Sequence, residues 1–572
     1  MPKIRPIAFW PPVILFVAAC AYNFIDPEGF TAMINGANNW LINNMAWAFS
    51  LGVLAMFIVI VWLMFSKFGD VRIGGRDAAP MLDNFRYFSI TLTSIIAIGL
   101  LLWGTSEPLY HYTAPPVSLG ITPESPEAMV FAVSTMFTHW SFLPLAIYAV
   151  PSITFAFAFY NMRKPYSIAS TLTPIFGNKV LGKWGQGLDA VVMYSLVAGM
   201  SASLASGILV IGGGLNYLTG WQTGLFMWLV ADIAIVVTFV ISSITGLFNG
   251  IRRLSEINTM FFIGLFVFVF IVGPSFFVLN LGVESLANNL ATFFPKAMFT
   301  GAAAGDPWAG GWTMFYWCNW LSWAPISGIF LGRISYGHTI RKALTVQFVL
   351  PALFNIIWIG IFSGAAIRLD QETDGALAAA VANGPEFAVY EFLTHYPLAW
   401  LLIPVFLFIT FLSYVTGSDA YTTTIGGMSS TGISPTSPEP PRYMKIFWGF
   451  LIGAVAIILL AATGGADGVK MLSNLGGLPA LILGLLMVVS LIKVATNPAK
   501  YDVRKQDYDA DGVPIKSVAK KATMSEEAVM AAYAKEAAEA ERAHHLAPAT
   551  VGATATADLA ADPADQTAEE AR

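Results

Sequence analysis

Apolar residues run along this chain in long blocks separated by short polar segments. A helix crosses the hydrocarbon core of a bilayer with about 20 mostly apolar residues. Blocks of that kind fall at 8–24, 45–66, 88–108, 129–161, 186–214, 222–247, 259–282, 312–331, 345–367, 399–417, 444–463 and 474–495. They predict an all-α membrane protein with about twelve transmembrane helices. The fourth and fifth blocks exceed a bilayer's needs, which predicts tilt or a break.

Charge orders these spans. With the N-terminus inside and sides alternating, 27 of the 30 Lys and Arg fall on the inner side. Only Lys296, Arg368 and Lys470 fall outside. That asymmetry is the positive-inside pattern of a multi-pass inner (cell) membrane protein with both termini cytoplasmic. Gaining or losing one span would scramble it. Lys3 and Arg5 ahead of an apolar run, with Val17-Ala18-Ala19-Cys20, resemble a lipoprotein leader. Cleavage there would leave an odd number of spans, so a first membrane helix holding a cysteine is the expectation.

Composition agrees: 56% of residues are hydrophobic and 11% charged, against roughly a quarter charged in soluble domains. Mean hydropathy is +0.66. Cys20 and Cys318, the only cysteines, lie in apolar runs and support neither a disulfide framework nor a thiolate metal site. The polar tail from 498 carries 9 basic and 14 acidic residues. Its part from Thr523 to His545 reads as an Ala/Glu-rich helix capped by Ser525, and the end as disordered. Asp507, Asp509, Asp511 and Gly512 copy the opening of a calcium loop. Its twelfth position is Val518 where a glutamate is required, so an acidic linker is the reading.

No GxxxxGK[ST] loop, HExxH or clustered Cys/His spacing appears, which excludes a P-loop ATP-driven pump. No nucleophile–base pair can be named, so an enzyme is not expected, and no organic cofactor or nucleic-acid partner is indicated. Movement of a solute, coupled to ions or to exchange, is the remaining class. The most informative stretch is Trp312 to Arg341. On a helix Tyr316, Trp320 and Trp323 share one stripe, with Trp317 beside it. Such a stripe either packs against a neighbouring helix or forms an aromatic cage. A quaternary ammonium has no N–H to donate, so ring faces must hold it, at about 0.5–2 kcal/mol per desolvated ring.

This stretch resembles the signature segment of the betaine/choline/carnitine transporters. So do Gly99 through Leu109 (with Trp103, Gly104, Glu107 and Pro108), Thr138-His139-Trp140 through Tyr148, and Ser243 through Asn258. The resemblance covers roughly 45–495. It implies a LeuT-like fold, two five-helix inverted repeats preceded by two extra helices. Residues 1–85 would then hold helices one and two, 86–497 the transporter core and 498–572 the cytoplasmic tail. It further implies alternating access around a midplane site, contact with membrane lipid, and a homotrimer.

The resemblance implies substrate-binding roles for Trp320, Trp140, Tyr148, Trp323 and Trp317. Leu145 and Asn319 stand where aromatic residues are expected, giving a thinner, more polar cage to which Asn319 adds hydrogen-bonding capacity. For a coupling Na+, Thr416 fits the first of two neighbouring hydroxyls. Gly417 occupies the second place, with Ser418 beside it. H+ coupling or exchange is the alternative. Membrane acids are costly: Glu107 and Asp419 are expected to be pairing groups, Asp189 to sit near the inner interface, and Asp232 to be the candidate proton relay. The expected function is secondary active transport of a betaine-like quaternary ammonium or sulfonium zwitterion (glycine betaine, choline, carnitine). The runner-up is a carrier of an amino acid or taurine-like solute. A sensor signalling through its tail is a third reading, weakened by the tail's net acidity.

Overall fold

The computed structural model describes residues 3–516, apart from 96, 246, 434–438 and 464–465. Among the described residues no strand forms and helices follow one another throughout. Span 1 is Pro6–Ile25 and span 2 is Pro27–Phe65. Span 3 is a broken pair, Asn84–Ile95 and Ala97–Thr113. Span 4 joins Pro126–Trp140 to Phe142–Ala156, and span 5 is Lys183–Thr219. Spans 6 and 7 are Leu225–Thr245 and Leu247–Val272. Span 8 contains Phe315–Ile334, and span 9 is Ile340–Glu372. Spans 10, 11 and 12 are Ala399–Met428, Arg442–Thr463 and Ala466–Thr496.

Ten described helices are long and apolar enough to cross a membrane, eleven with the bent third span. Span 8 is not among them. Its tryptophans, Asn319, serines and Arg333 lower its hydropathy, and almost all of it is buried inside the protein. A span that never faces lipid need not be apolar.

One expected boundary shifts. The block at 259–282 does not form one helix: Gly273–Pro274 ends span 7, and a separate helix, Ser275–Ala291, follows. Pro274 has no N–H to continue the ladder. This linker helix exposes Phe276, Leu279, Val283 and Leu290 along one stripe, as a helix lying in a membrane interface does. The fourth span breaks, as its length suggested, and the fifth is one continuous helix of 37 residues.

Packing shows two related halves. Span 5 lies against span 12 as span 10 lies against span 7. Span 6 meets span 10 as span 11 meets span 5, and span 3 meets span 7 as span 8 meets span 12. Each pair maps onto the other when every helix is exchanged for its counterpart five places away. Five is odd, so helices related in this way cross the bilayer in opposite directions. Spans 3–7 and 8–12 therefore form an inverted pair, and spans 1 and 2 stand outside it.

The polar ends gather at one face. Lys3 and Arg5 pair with the backbone of Thr431 and Ser429 after span 10, and Arg5 reaches Asp189 at 2.6 Å. Asp189 also accepts from Ser167 and from the Ala169 amide, so it is a pairing group near a helix end. The first part of the tail is folded. Asp502 accepts from Asn161 at 2.7 Å and from Tyr508 at 2.9 Å, and Asp507 accepts from the Arg76 amide. Burial pushes the Asp502 carboxyl upward. Asp509 closes a tight turn by accepting from the Asp511 and Val513 amides. The expected helix at 523–545 lies outside the described residues.

Glycine lets spans 8 and 12, both of the second half, pack backbone to backbone. A Cβ on Gly477 of span 12 would lie 2.6 Å from the Cys318 Cα of span 8. Backbone cannot swing away, so Gly477→Val costs at least the roughly 1–3 kcal/mol of an overpacked core. A lowered thermal midpoint of the purified protein checks this, with Gly36→Ala as the silent control, since nothing lies within 4 Å of that position.

Candidate functional site

The break in span 4 builds the site. Ser141 leaves helical geometry at φ −108°, ψ −116°. Pro144, three residues on, has no N–H for the Trp140 carbonyl, and its ring crowds that carbonyl. The Asn355 side chain of span 9 supplies the missing donor, at 2.5 Å. At the same break the His139 carbonyl accepts the Trp320 indole N–H, at 3.1 Å. One helix break in the first half thus anchors two side chains of the second, Asn355 and Trp320.

Around it Trp320 meets Trp140 edge-on at 5.4 Å and Tyr148 at 5.1 Å. Trp323 meets Tyr421 of span 10 at 4.8 Å. Gly99, beyond the 57° bend of span 3, makes room for the cage: a Cβ there would lie 2.3 Å from the Trp140 ring. The enclosed space is small, about 60 Å³. The lining combines these aromatic rings with the hydroxyl and amide residues Ser94, Ser203, Ser206 and Asn319. No acidic or basic side chain lines it.

A buried carboxylate locks the aromatic rings from behind. Glu107 Oε2 accepts from Trp140 Nε1 at 2.8 Å and from the Tyr316 hydroxyl. His139 Nδ1 and His111 Nε2 lie 2.8 and 3.1 Å from Oε1. Glu107 has no exposed surface, so those four partners replace the water it has lost. The expectation of a pairing role holds in full. Asp419 likewise accepts from Ser242, whereas Asp232 Oδ1 has no partner.

Of the six expected cage residues, Trp320, Trp140, Tyr148, Trp323 and Asn319 line the cavity. Trp317 does not: it is fully buried behind it, edge-on to His139. Leu145 is buried away from the cavity as well. The residues not foreseen are Tyr421, Phe315 and the serines. Tyr421 donates its hydroxyl to the Ser94 carbonyl beside the bend of span 3, and only the fold brings 94 and 421 together. Thr416 donates back to the Leu412 and Ser413 carbonyls of its own helix, at 2.9 and 3.1 Å.

The family model described as the betaine/carnitine/choline family transporter matches residues 7–500. This chain belongs to that family. Its members are transporters, and this chain is a multi-pass membrane transporter, not an enzyme. Among its relatives is the glycine betaine transporter OpuD of Bacillus subtilis. The two are 32% identical over 488 residues, covering 84% of this chain and 93% of that one. The ectoine/hydroxyectoine transporter of Virgibacillus pantothenticus is 30% identical, covering 83% of this chain and 93% of its own. The osmo-dependent choline transporter BetT2 of Acinetobacter baylyi is 28% identical, covering 86% and 71%. Relatives of this transporter thus carry chemically different headgroups.

Gly99→Ala forces the Trp140 ring aside and is expected to raise the KM for uptake about tenfold, near 1.4 kcal/mol. Initial-rate uptake into proteoliposomes, normalised to protein, checks it, and an unchanged KM contradicts the geometry.

Proposed function

We propose that this transporter moves a betaine-like zwitterion, with a methylated cationic head held by Trp140, Tyr148 and Trp320. The observation that carries this reading is the lining: aromatic rings together with hydroxyls and an amide, and no ionised side chain. A methylated ammonium or sulfonium needs ring faces. With no carboxylate in the cavity, a solute that carries its own negative charge fits better than a bare cation. The hydroxyl and amide residues suit its carboxylate. Asn319 supports a second reading, a solute whose head also donates hydrogen bonds, because it places an amide where a ring is expected.

Transport runs by alternating access between the inverted halves, with the broken third and fourth spans as the elements at the site. Sodium is the proposed coupling ion. Thr416 spends its hydroxyl hydrogen on its own helix, which leaves lone pairs for a cation. We place both termini in the cytoplasm, on the side that gathers the basic residues. We assign a homotrimer with the apolar stripe of Ser275–Ala291 among its contacts.

Trp320→Ala is expected to abolish saturable uptake of labelled glycine betaine while leaving the amount of protein in the membrane unchanged. Normal affinity in that variant removes the cage. Competition by glycine betaine, carnitine, choline, ectoine and taurine separates the two solute readings. Uptake is expected to fall at least tenfold when sodium is replaced by potassium; equal rates rule sodium out.

A further inference from the structure

A vestibule of about 560 Å³ opens at the face of the protein opposite the termini. It lies between the first half of span 2, the loop before span 8 and the start of span 12. Phe315 lines both this vestibule and the central cavity, so its ring stands between the two. The vestibule is more polar than the cage. Asn38, Asn43 and Asn474 line it, and Asn474 donates to Asn38 at 2.7 Å.

The charged residues of its lining are Asp306 and Lys470. Asp306 is engaged, accepting from the Ser118 and Trp308 amides at 2.9 and 3.0 Å. Lys470 is one of three basic residues on this side of the charge count. Its ammonium lies 4.1 Å from the centre of the Trp312 ring, 5.4 Å from Phe315 and 5.5 Å from Trp103. All three rings are within the reach over which a cation is drawn to a ring face. They also pack on one another, with Trp103 5.9 Å from Trp312 and 6.1 Å from Phe315. Trp103, like Phe315, lines the central cavity. The chain's own ammonium thus occupies an aromatic box at the partition between vestibule and cage, where it stands in for the cationic head of a solute. Glu107, the charge behind these rings, is already shared among four partners.

We infer that Lys470 is a specificity-determining residue, which admits zwitterions and turns away purely cationic solutes. The inference rests on the betaine reading above and deepens it. A bare methylated cation meets like charge at rings that are already taken. A zwitterion brings a carboxylate, which pairs with the ammonium and draws it off the rings while the methylated head takes its place. The carboxylate then passes to the hydroxyl and amide residues of the central cavity. That cavity has no ionised side chain in its lining, so discrimination by charge falls to the vestibule.

Titration of the tryptophan fluorescence of the purified full-length protein with glycine betaine and with choline tests it. The two solutes share a trimethylammonium head and differ in a carboxylate against a hydroxyl. Lys470→Met keeps a flexible side chain over the rings and removes the charge. It is expected to tighten choline binding about tenfold, near 1.4 kcal/mol, and to leave glycine betaine binding unchanged or weaker. Lys470→Arg, which keeps the charge, is expected to retain the preference of the unaltered protein. Lys470→Gln carries the test if the methionine variant does not fold. Choline affinity unmoved by loss of the charge overturns the inference. So does an equal gain for glycine betaine, since the lysine would then only block the box, and so does an arginine variant that behaves like the methionine one. Should the unaltered protein not bind glycine betaine, the betaine reading fails, and choline binding by the methionine variant still decides whether Lys470 selects by charge.

Discussion

Within the hydrocarbon core there is no water to satisfy a polar group, so whatever positions a solute there must be satisfied by protein. Glu107 shows how this chain meets that condition. Its buried carboxylate accepts from an indole and a phenol on one oxygen and faces two imidazoles on the other. The negative charge is therefore spent on orienting rings, and it does not face the solute. The cage in front of it stays formally neutral, and the proposed preference for a methylated cation rests on ring faces. Removing the carboxylate would leave four buried groups seeking partners, so site geometry and local stability rest on the same residue.

The rest of the architecture supplies the irregularity that such a site needs. Regular helices satisfy their own backbone and leave nothing for a ligand or a side chain to bind. Pro144 interrupts span 4, and the carbonyls at that break hold Asn355 and Trp320 in place. Span 3 bends next to Gly99, where the ring of Trp140 enters. Spans 3 and 4 belong to one half of the inverted pair, and spans 8, 9 and 10 to the other. Residues from both halves meet at the cavity, so rocking one half against the other opens the site to one side of the membrane and then to the opposite side.

Much of this was legible in the chain, for physical reasons that differ by element. The spans were, because lipid enforces about twenty apolar residues at a time. Span 8 was readable from its aromatic content, although its hydropathy is low. The end of span 7 was missed, yet Gly273–Pro274 was there to mark it. Trp320 and Trp323 line the cavity, and Trp317 lies behind it. In a helix buried on all sides, amphipathicity no longer tells which face looks into a space. Tyr421 was invisible because nothing local ties it to Ser94, more than three hundred positions away. Thr416 points its hydroxyl hydrogen at its own helix for a local reason: a threonine hydroxyl inside a helix finds its own backbone first.

The central claim is that Trp140, Tyr148 and Trp320 enclose the methylated head of the solute halfway across the bilayer. A structure of the protein determined with glycine betaine bound tests it most directly. The account predicts the trimethylammonium density between those three rings, with the carboxylate toward the serine and asparagine side chains. Density elsewhere, with the three rings packed against one another as they are without solute, contradicts it.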